Sequence, residues 1–104
     1  MAYTFLLVNT PKSDARAAYE AAWERLNATG ARHPQGRLSH TAWLVGDVLN
    51  VLDVWESEDD LNRFIQSTLG GLFAQFGMEL DGPPVKGEFL QTVMAGDPAP
   101  QPVR

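Results

Sequence analysis

The stretch from Val48 to Glu56 is the one that most restricts what this chain can become. Val48, Leu49, Val51, Leu52 and Val54 put aliphatic groups on both sides of an extended backbone, because successive side chains of a strand point to opposite faces. A strand that is apolar on both faces must be covered on both faces. Gly46-Asp47 before it suits a two-residue hairpin turn, so Arg37 to Val45 becomes its antiparallel neighbour. The fold must therefore seat this strand inside a sheet and supply two separate covers for it.

The remaining segments offer the first cover. Tyr3 to Asn9 reads as a strand, with Tyr3, Phe5 and Leu7 on one side and Leu6 and Val8 on the other, closed by Thr10-Pro11. A helix follows, capped by Ser13 or Thr10, with Ala15, Ala18, Tyr19, Ala22, Trp23 and Leu26 in one stripe and Gly30 as its stop. His33-Pro34-Gln35-Gly36 is loop. After the hairpin, Ser57 caps a second helix whose first turn holds Glu58, Asp59 and Asp60, where the helix dipole favours acids. Leu61, Phe64, Ile65, Leu69, Leu72, Phe73 and Phe76 form its apolar side. Gly70-Gly71 predicts a kink or a split into two helices. Gly82-Pro83-Pro84 is a turn, and Glu88 to Met94 reads as the last strand. Residues 97–104, with three prolines, are expected to be a loose tail on a domain of residues 1–96.

The order is strand, helix, strand, strand, helix, strand. Right-handed crossovers put both helices on one face of a four-stranded antiparallel sheet, a ferredoxin-like α+β arrangement. The second cover is then missing. An apolar sheet face without a partner marks an interaction surface, and a second copy related by a two-fold axis is the simplest closure. The expected assembly is a homodimer in which two sheets enclose a barrel.

Charge and composition exclude several functions. Binding nucleic acid needs clustered Lys and Arg, whereas here eight basic residues are dispersed among thirteen acidic ones, for a net charge of −5. No apolar run is long enough to span a membrane, and Met1 to Phe5 has no basic segment of the kind that opens a signal peptide; the expected location is the cytoplasm. Without cysteine there is no thiol or disulfide chemistry. Two histidines offer no ligand spacing for zinc or non-haem iron, and no metal or cofactor is expected. Gly70-Gly71 does not follow a strand and is not a phosphate loop.

With Gly46-Asp47 as the turn, His40 falls opposite Asp53 and Leu38 opposite Trp55. Leu38, His40, Ala42 and Leu44 share a face with Leu49, Val51, Asp53 and Trp55. A carboxylate at cross-strand distance fixes the tautomer of a histidine, and such a pair, set among aliphatics, can serve as a general base. This face is expected to line the barrel lumen, with His40 and Asp53 as catalytic candidates and Trp55, Asn9, Tyr3 and Phe5 as ligand-binding candidates. The same pair can equally be a structural hydrogen bond, Asn9 can be turn chemistry before Thr10-Pro11, and Trp55 can be core. Glu88 is either a second lumen carboxylate or a solvated edge residue. Trp23 and Trp43 are expected to pack beneath the helices.

Gly36-Arg37-Leu38-Ser39-His40, then Val51-Leu52-Asp53-Val54-Trp55-Glu56-Ser57, then Leu61 and Phe64, resemble the antibiotic-biosynthesis-monooxygenase-like members of the dimeric α+β barrel superfamily. With the first strand and the Pro-Pro-Val stretch, the resemblance extends over most of residues 3–95. It implies relatives that include cofactor-free monooxygenases of polyketide phenols, haem-degrading enzymes, small isomerases and stress-response barrels. Family oxygenases often use an Asn on the first strand and a Trp near the second helix, for which Asn9 and Trp55 are the nearest matches. Many members carry a His in the second helix after a Trp-x-Ser start; here Phe64 stands there, so the usual axial ligand for haem is absent.

The leading expectation is a homodimeric barrel that binds a small organic, aromatic or polyketide-like molecule, as a cofactor-independent monooxygenase or an isomerase or cyclase. A non-catalytic ligand-binding or stress-response barrel, and a purely structural dimer module, are the competing readings. The first two require a closed pocket of a few hundred cubic ångströms beside His40; the third requires a filled interior.

Overall fold

The computed structural model describes residues 2–8, 15–77 and 80–96. Strand β1 (Tyr3–Val8) leads to helix α1 (Ala15–Thr29), then to the hairpin of β2 (Arg37–Val45) and β3 (Val48–Trp55). Helix α2 (Glu58–Phe64) runs through a π-helical turn (Ile65–Leu69) into α3 (Gly70–Phe76), and β4 (Val85–Glu88) closes the fold. The sheet is antiparallel throughout, in the order β2-β3-β1-β4. This is the ferredoxin-like α+β architecture expected from the order of elements. The doubly apolar strand is interior, between β1 and β2.

The core lies between the sheet and the helices. Phe5, Leu7 and Trp55 from the sheet meet Ala22 and Leu26 of α1, Leu61 and Phe64 of α2, and Leu72 of α3. Trp55 is fully buried and stacks at a tilt on Phe64, with ring centroids 5.7 Å apart. Burying an aromatic of this size contributes several kcal/mol, so Trp55 anchors the second helical segment to the sheet. Ser57 starts that segment: its Oγ accepts from the Asp60 amide at 3.1 Å and donates to Asp60 Oδ2 at 2.9 Å.

The expected split into two shorter α-helices is present: α2 and α3 are separated by the π turn, in which the Gly70 amide bonds back to the Ile65 carbonyl, and α3 begins at Gly70. A Cβ on Gly70 would lie 3.0 Å from that same carbonyl oxygen, so the glycine leaves room for the wide turn.

The last strand is Val85–Glu88, ending where the sequence pattern would have it begin. Val85 pairs with Leu6 and Glu88 with Tyr3, and the Phe89 amide bonds to the Ala2 carbonyl at 3.1 Å. Leu90, Val93 and Met94 look strand-like in sequence but are exposed. The expected tail, residues 97–104, the helix caps Thr10 and Ser13, and Asn9 lie outside the described residues.

The face without helices carries Trp43, Val45 and Leu52, all exposed. The expectation of Trp43 beneath the helices is thereby corrected. It alternates with Ala42 and Leu44, which face the helices, so strand geometry turns it to the open side, where it is 42% exposed.

Candidate functional site

His40 and Asp53 are paired Cα to Cα across the hairpin, in the register that the Gly46-Asp47 turn dictates. Their face is not the open one. Asp53 alternates along β3 with Val54 and shares its side with Trp55 and Val51, which pack toward the helices. The expectation that this pair lines a space between two sheets is overturned. Two constraints decide the side: Trp55, the largest apolar residue of the strand, takes the helix-covered face, and Asp53 and His40 follow it by the two-residue period.

The pair belongs to a longer chain of hydrogen bonds. Asp53, only 5% exposed, accepts from His40 Nδ1 at 2.6 Å and from Trp55 Nε1 at 3.3 Å, one donor on each oxygen. With the Nδ1 hydrogen committed to the carboxylate, the neutral imidazole leaves Nε2 as an acceptor, and the Tyr19 hydroxyl donates to it at 2.7 Å. Tyr19 and Trp23, one helical turn apart on α1, stack on the imidazole with interplanar angles of 6° and 14°. Burial raises the pKa of the Tyr19 phenol above its ordinary value; the negative charge of Asp53 adds to the effect and the Arg37 cation opposes it. Tyr19 is therefore a proton holder at neutral pH, and His40 Nε2 is the basic atom it faces.

Arg37 completes the cluster through an irregularity. A simple hairpin places Leu38 opposite Trp55. In the structure Arg37 takes that position, and the register slips by one residue between Arg37 and Ser39. The bulge leaves Leu38 exposed and brings Arg37 into the cavity wall with Tyr19, Trp23 and His40. Bulges commonly re-aim a side chain in this way beside functional sites. Gly36 sets up the entry. Its φ is +87°, its carbonyl accepts from the Glu56 amide at 2.7 Å, and a Cβ would run into the Asp60 carboxylate.

Trp23, Arg37 and His40 border two spaces, and Tyr19 also borders a separate groove of about 380 Å³ beside Arg16, Glu20 and Trp43. An inner cavity between sheet and helices, lined mainly by leucines and aromatics, holds only about 50 Å³, room for a few waters. An outer groove of about 250 Å³ opens at the β2 edge, against Trp23, Arg32, His33, Arg37, Ser39 and His40. Trp23, Arg37 and His40 belong to both walls. The expected pocket beside His40 thus has the anticipated size but is an open groove, while the closed part is narrow.

The other ligand-binding candidates are placed elsewhere. Trp55 and Phe5 are core residues and do not line either space. Tyr3 packs against the core and carries Lys86 Nζ over its ring at 4.3 Å. Glu88 is exposed on the edge strand. Sequence reasoning alone misses Tyr19, Trp23 and Arg37 as site residues. The available signal is a hydroxyl inside an otherwise apolar helix stripe, with a Trp four residues on. Among the described residues, no group of three or more His, Asp or Glu is arranged to hold a metal ion, and no helix is long and apolar enough to cross a membrane.

Comparison with solved structures supports the fold. The chain superposes on a proposed antibiotic biosynthesis monooxygenase from Chloroflexus aurantiacus with a TM-score of 0.65 and 16% identity, over 92% of this chain and 100% of that one. Rv0793 from Mycobacterium tuberculosis gives 0.61 and 21% identity, over 92% of this chain and 100% of that chain. A point mutant of SnoaB, a cofactor-independent oxygenase from Streptomyces nogalater, gives 0.56 and 21% identity, over 92% and 98%. The architecture is therefore that of the antibiotic-biosynthesis-monooxygenase-like α+β proteins, the fold that the sequence resemblance implied. No protein-family profile and no curated protein matches the chain by sequence.

Proposed function

We propose that this protein is a homodimer that binds a small, flat organic molecule in the groove beside His40 and removes a proton from it, as a cofactor-independent oxygenase or an isomerase. The observation that carries the reading is the ordered chain Tyr19–His40–Asp53, whose central histidine lines both the groove and the inner cavity. His40 is the base. Asp53 orients the ring and stabilises the imidazolium that forms, and Tyr19 relays the proton or yields its place on Nε2 to a phenol or enol of the ligand. Trp23 and Leu38 give a flat ring system an apolar surface within the groove. The likeness of fold to a cofactor-independent oxygenase favours the oxygenase within this pair of reactions. The exposed apolar side of the sheet supports the homodimer.

The narrow inner cavity supports the competing reading, a barrel that binds without turnover or only assembles. A panel of polycyclic phenols separates them. Oxygen uptake and product formation are followed for wild type and His40→Ala. Turnover that falls at least about a hundredfold in the variant supports general-base catalysis. Equal turnover removes His40 from the chemistry, and binding without turnover in wild type leaves the non-catalytic barrel.

A further inference from the structure

We infer that Arg37 is the anion-recognising residue of this site and that the ligand is an aromatic acid, whose carboxylate Arg37 holds at the groove while the ring lies along Trp23. The inference rests on the groove being the ligand site, as proposed above, and adds the substrate class.

Four observations converge on it. First, the β-bulge turns Arg37 inward, at the expense of leaving Leu38 55% exposed; a regular hairpin would bury the leucine and put the arginine on the open face. Second, the guanidinium is held rather than free. Its carbon lies 5.7 Å from the Trp23 ring centroid and 5.8 Å from that of Phe64, and Nη2 donates to the Arg32 carbonyl at 2.6 Å. Third, it has no anion. Among the described residues no carboxylate lies within ion-pair distance of it, and the nearest buried one, Asp53, has both oxygens committed to His40 and Trp55. Burial disfavours the cation, lowering the Arg37 pKa from its ordinary value. Asp53 and Tyr19 favour the cation from a distance, but no carboxylate contacts the partly desolvated guanidinium directly, and its remaining N–H groups form the planar fork that matches a carboxylate. Fourth, the groove carries Arg32, His33, Arg37 and His40 and no acidic residue, although the chain as a whole has a net charge of −5. A basic mouth on an acidic protein concentrates anions at that one place.

Calorimetry with 2-naphthoate and with 2-naphthamide, which share shape and differ in charge, tests this on the full chain. Wild type is expected to bind the acid about tenfold or more tightly than the amide, the gain typical of a charge-assisted bidentate contact. Arg37→Gln is expected to abolish that preference, bringing the ratio of acid to amide affinity to about one, and Arg37→Lys to retain only part of it. Equal affinities in wild type overturn the inference and leave the groove as a ligand site. A preference that survives Arg37→Gln overturns the assignment to Arg37 and transfers it to Arg32 or His33. Failure of wild type to bind either probe overturns the groove itself. The wild-type comparison needs no variant, so it decides the substrate class even where Arg37→Gln fails to fold.

Discussion

His40 Nδ1 and Asp53 Oδ1 lie 2.6 Å apart on the helix-covered side of the sheet, and the second oxygen of the same carboxylate takes the Trp55 indole N–H. Asp53 thus links the His40 imidazole to the anchor of the core. A single carboxylate with one donor on each oxygen cannot be replaced by an amide without leaving one donor against an NH2 group. Asp53→Asn is therefore expected to lose about 1.5–3 kcal/mol of stability, the range for hydrogen bonds to a charged group. Urea unfolding measures the loss. Nitrogen-15 NMR of His40 provides a separate readout: the wild-type ring should be held with hydrogen on Nδ1, and the variant should show a mixture of tautomers.

The hydroxyl of Tyr19 sits at the other end of that chain. Its pKa is raised, chiefly by burial. In the unfolded chain the phenol ionises near pH 10, whereas in the folded chain it stays neutral to higher pH. The stabilisation linked to this shift is fully present below the ordinary value and is lost as pH rises through the raised one. Wild type should therefore lose stability above about pH 10 more steeply than Tyr19→Phe. Phenolate absorbance, taken as the difference between the two proteins, should appear above the ordinary tyrosine value.

Most of this arrangement is legible in the sequence, for reasons that also mark what is not. The His40–Asp53 register follows from a two-residue turn at Gly46-Asp47, a local signal that fixes every pair up to His40. The side of the sheet they occupy depends on where Trp55 finds its partners, a tertiary contact with Phe64 that no spacing within the hairpin reveals. Tyr19 and Trp23 are visible as part of a helical stripe, but a stripe shows that residues point inward and not which strand residue they meet. The bulge that recruits Arg37 is hidden from strict alternation, which runs unbroken to the strand's end, past the point where Gly36 sets a different backbone. The last strand is misplaced by pattern alone because Leu90, Val93 and Met94 have strand-like composition, whereas the pairing with β1 falls on Val85–Glu88 and leaves these three exposed.

Gly36 offers a test of that bulge. Its φ of +87° is one that residues with a Cβ adopt at a cost, and the Asp60 side chain fills the space a Cβ would need. Asp60 is itself fixed by Ser57 and by Arg63, whose Nη1 lies 2.7 Å from Oδ1, so it does not yield easily. Gly36→Ala should destabilise the protein by at least about 1–2 kcal/mol from backbone conformation alone. It should also disturb the entry to β2, so that tryptophan emission changes as Arg37 shifts against Trp23. An alanine variant with wild-type stability in urea would mean that the strand entry tolerates another conformation and that the bulge does not depend on Gly36.

The open face of the sheet sets the last prediction. Trp43, Val45 and Leu52 are exposed there at 42%, 63% and 37%, and by strand alternation Val85 of β4, opposite Leu6, belongs to the same surface. A patch of this kind on an isolated chain would invite non-specific association, whereas a two-fold pairing of sheets buries it once on each copy. Wild type should therefore run as a dimer in light scattering at micromolar concentration. Leu52→Arg puts a charge near the middle of the patch, where two copies would have to bury it against its own symmetry mate, so the variant should run as a monomer. Because Leu52 is exposed in the single chain, its far-ultraviolet circular dichroism should match wild type. A wild-type protein that stays monomeric through the millimolar range would refute the sheet-to-sheet homodimer, and the apolar face would then need a different cover.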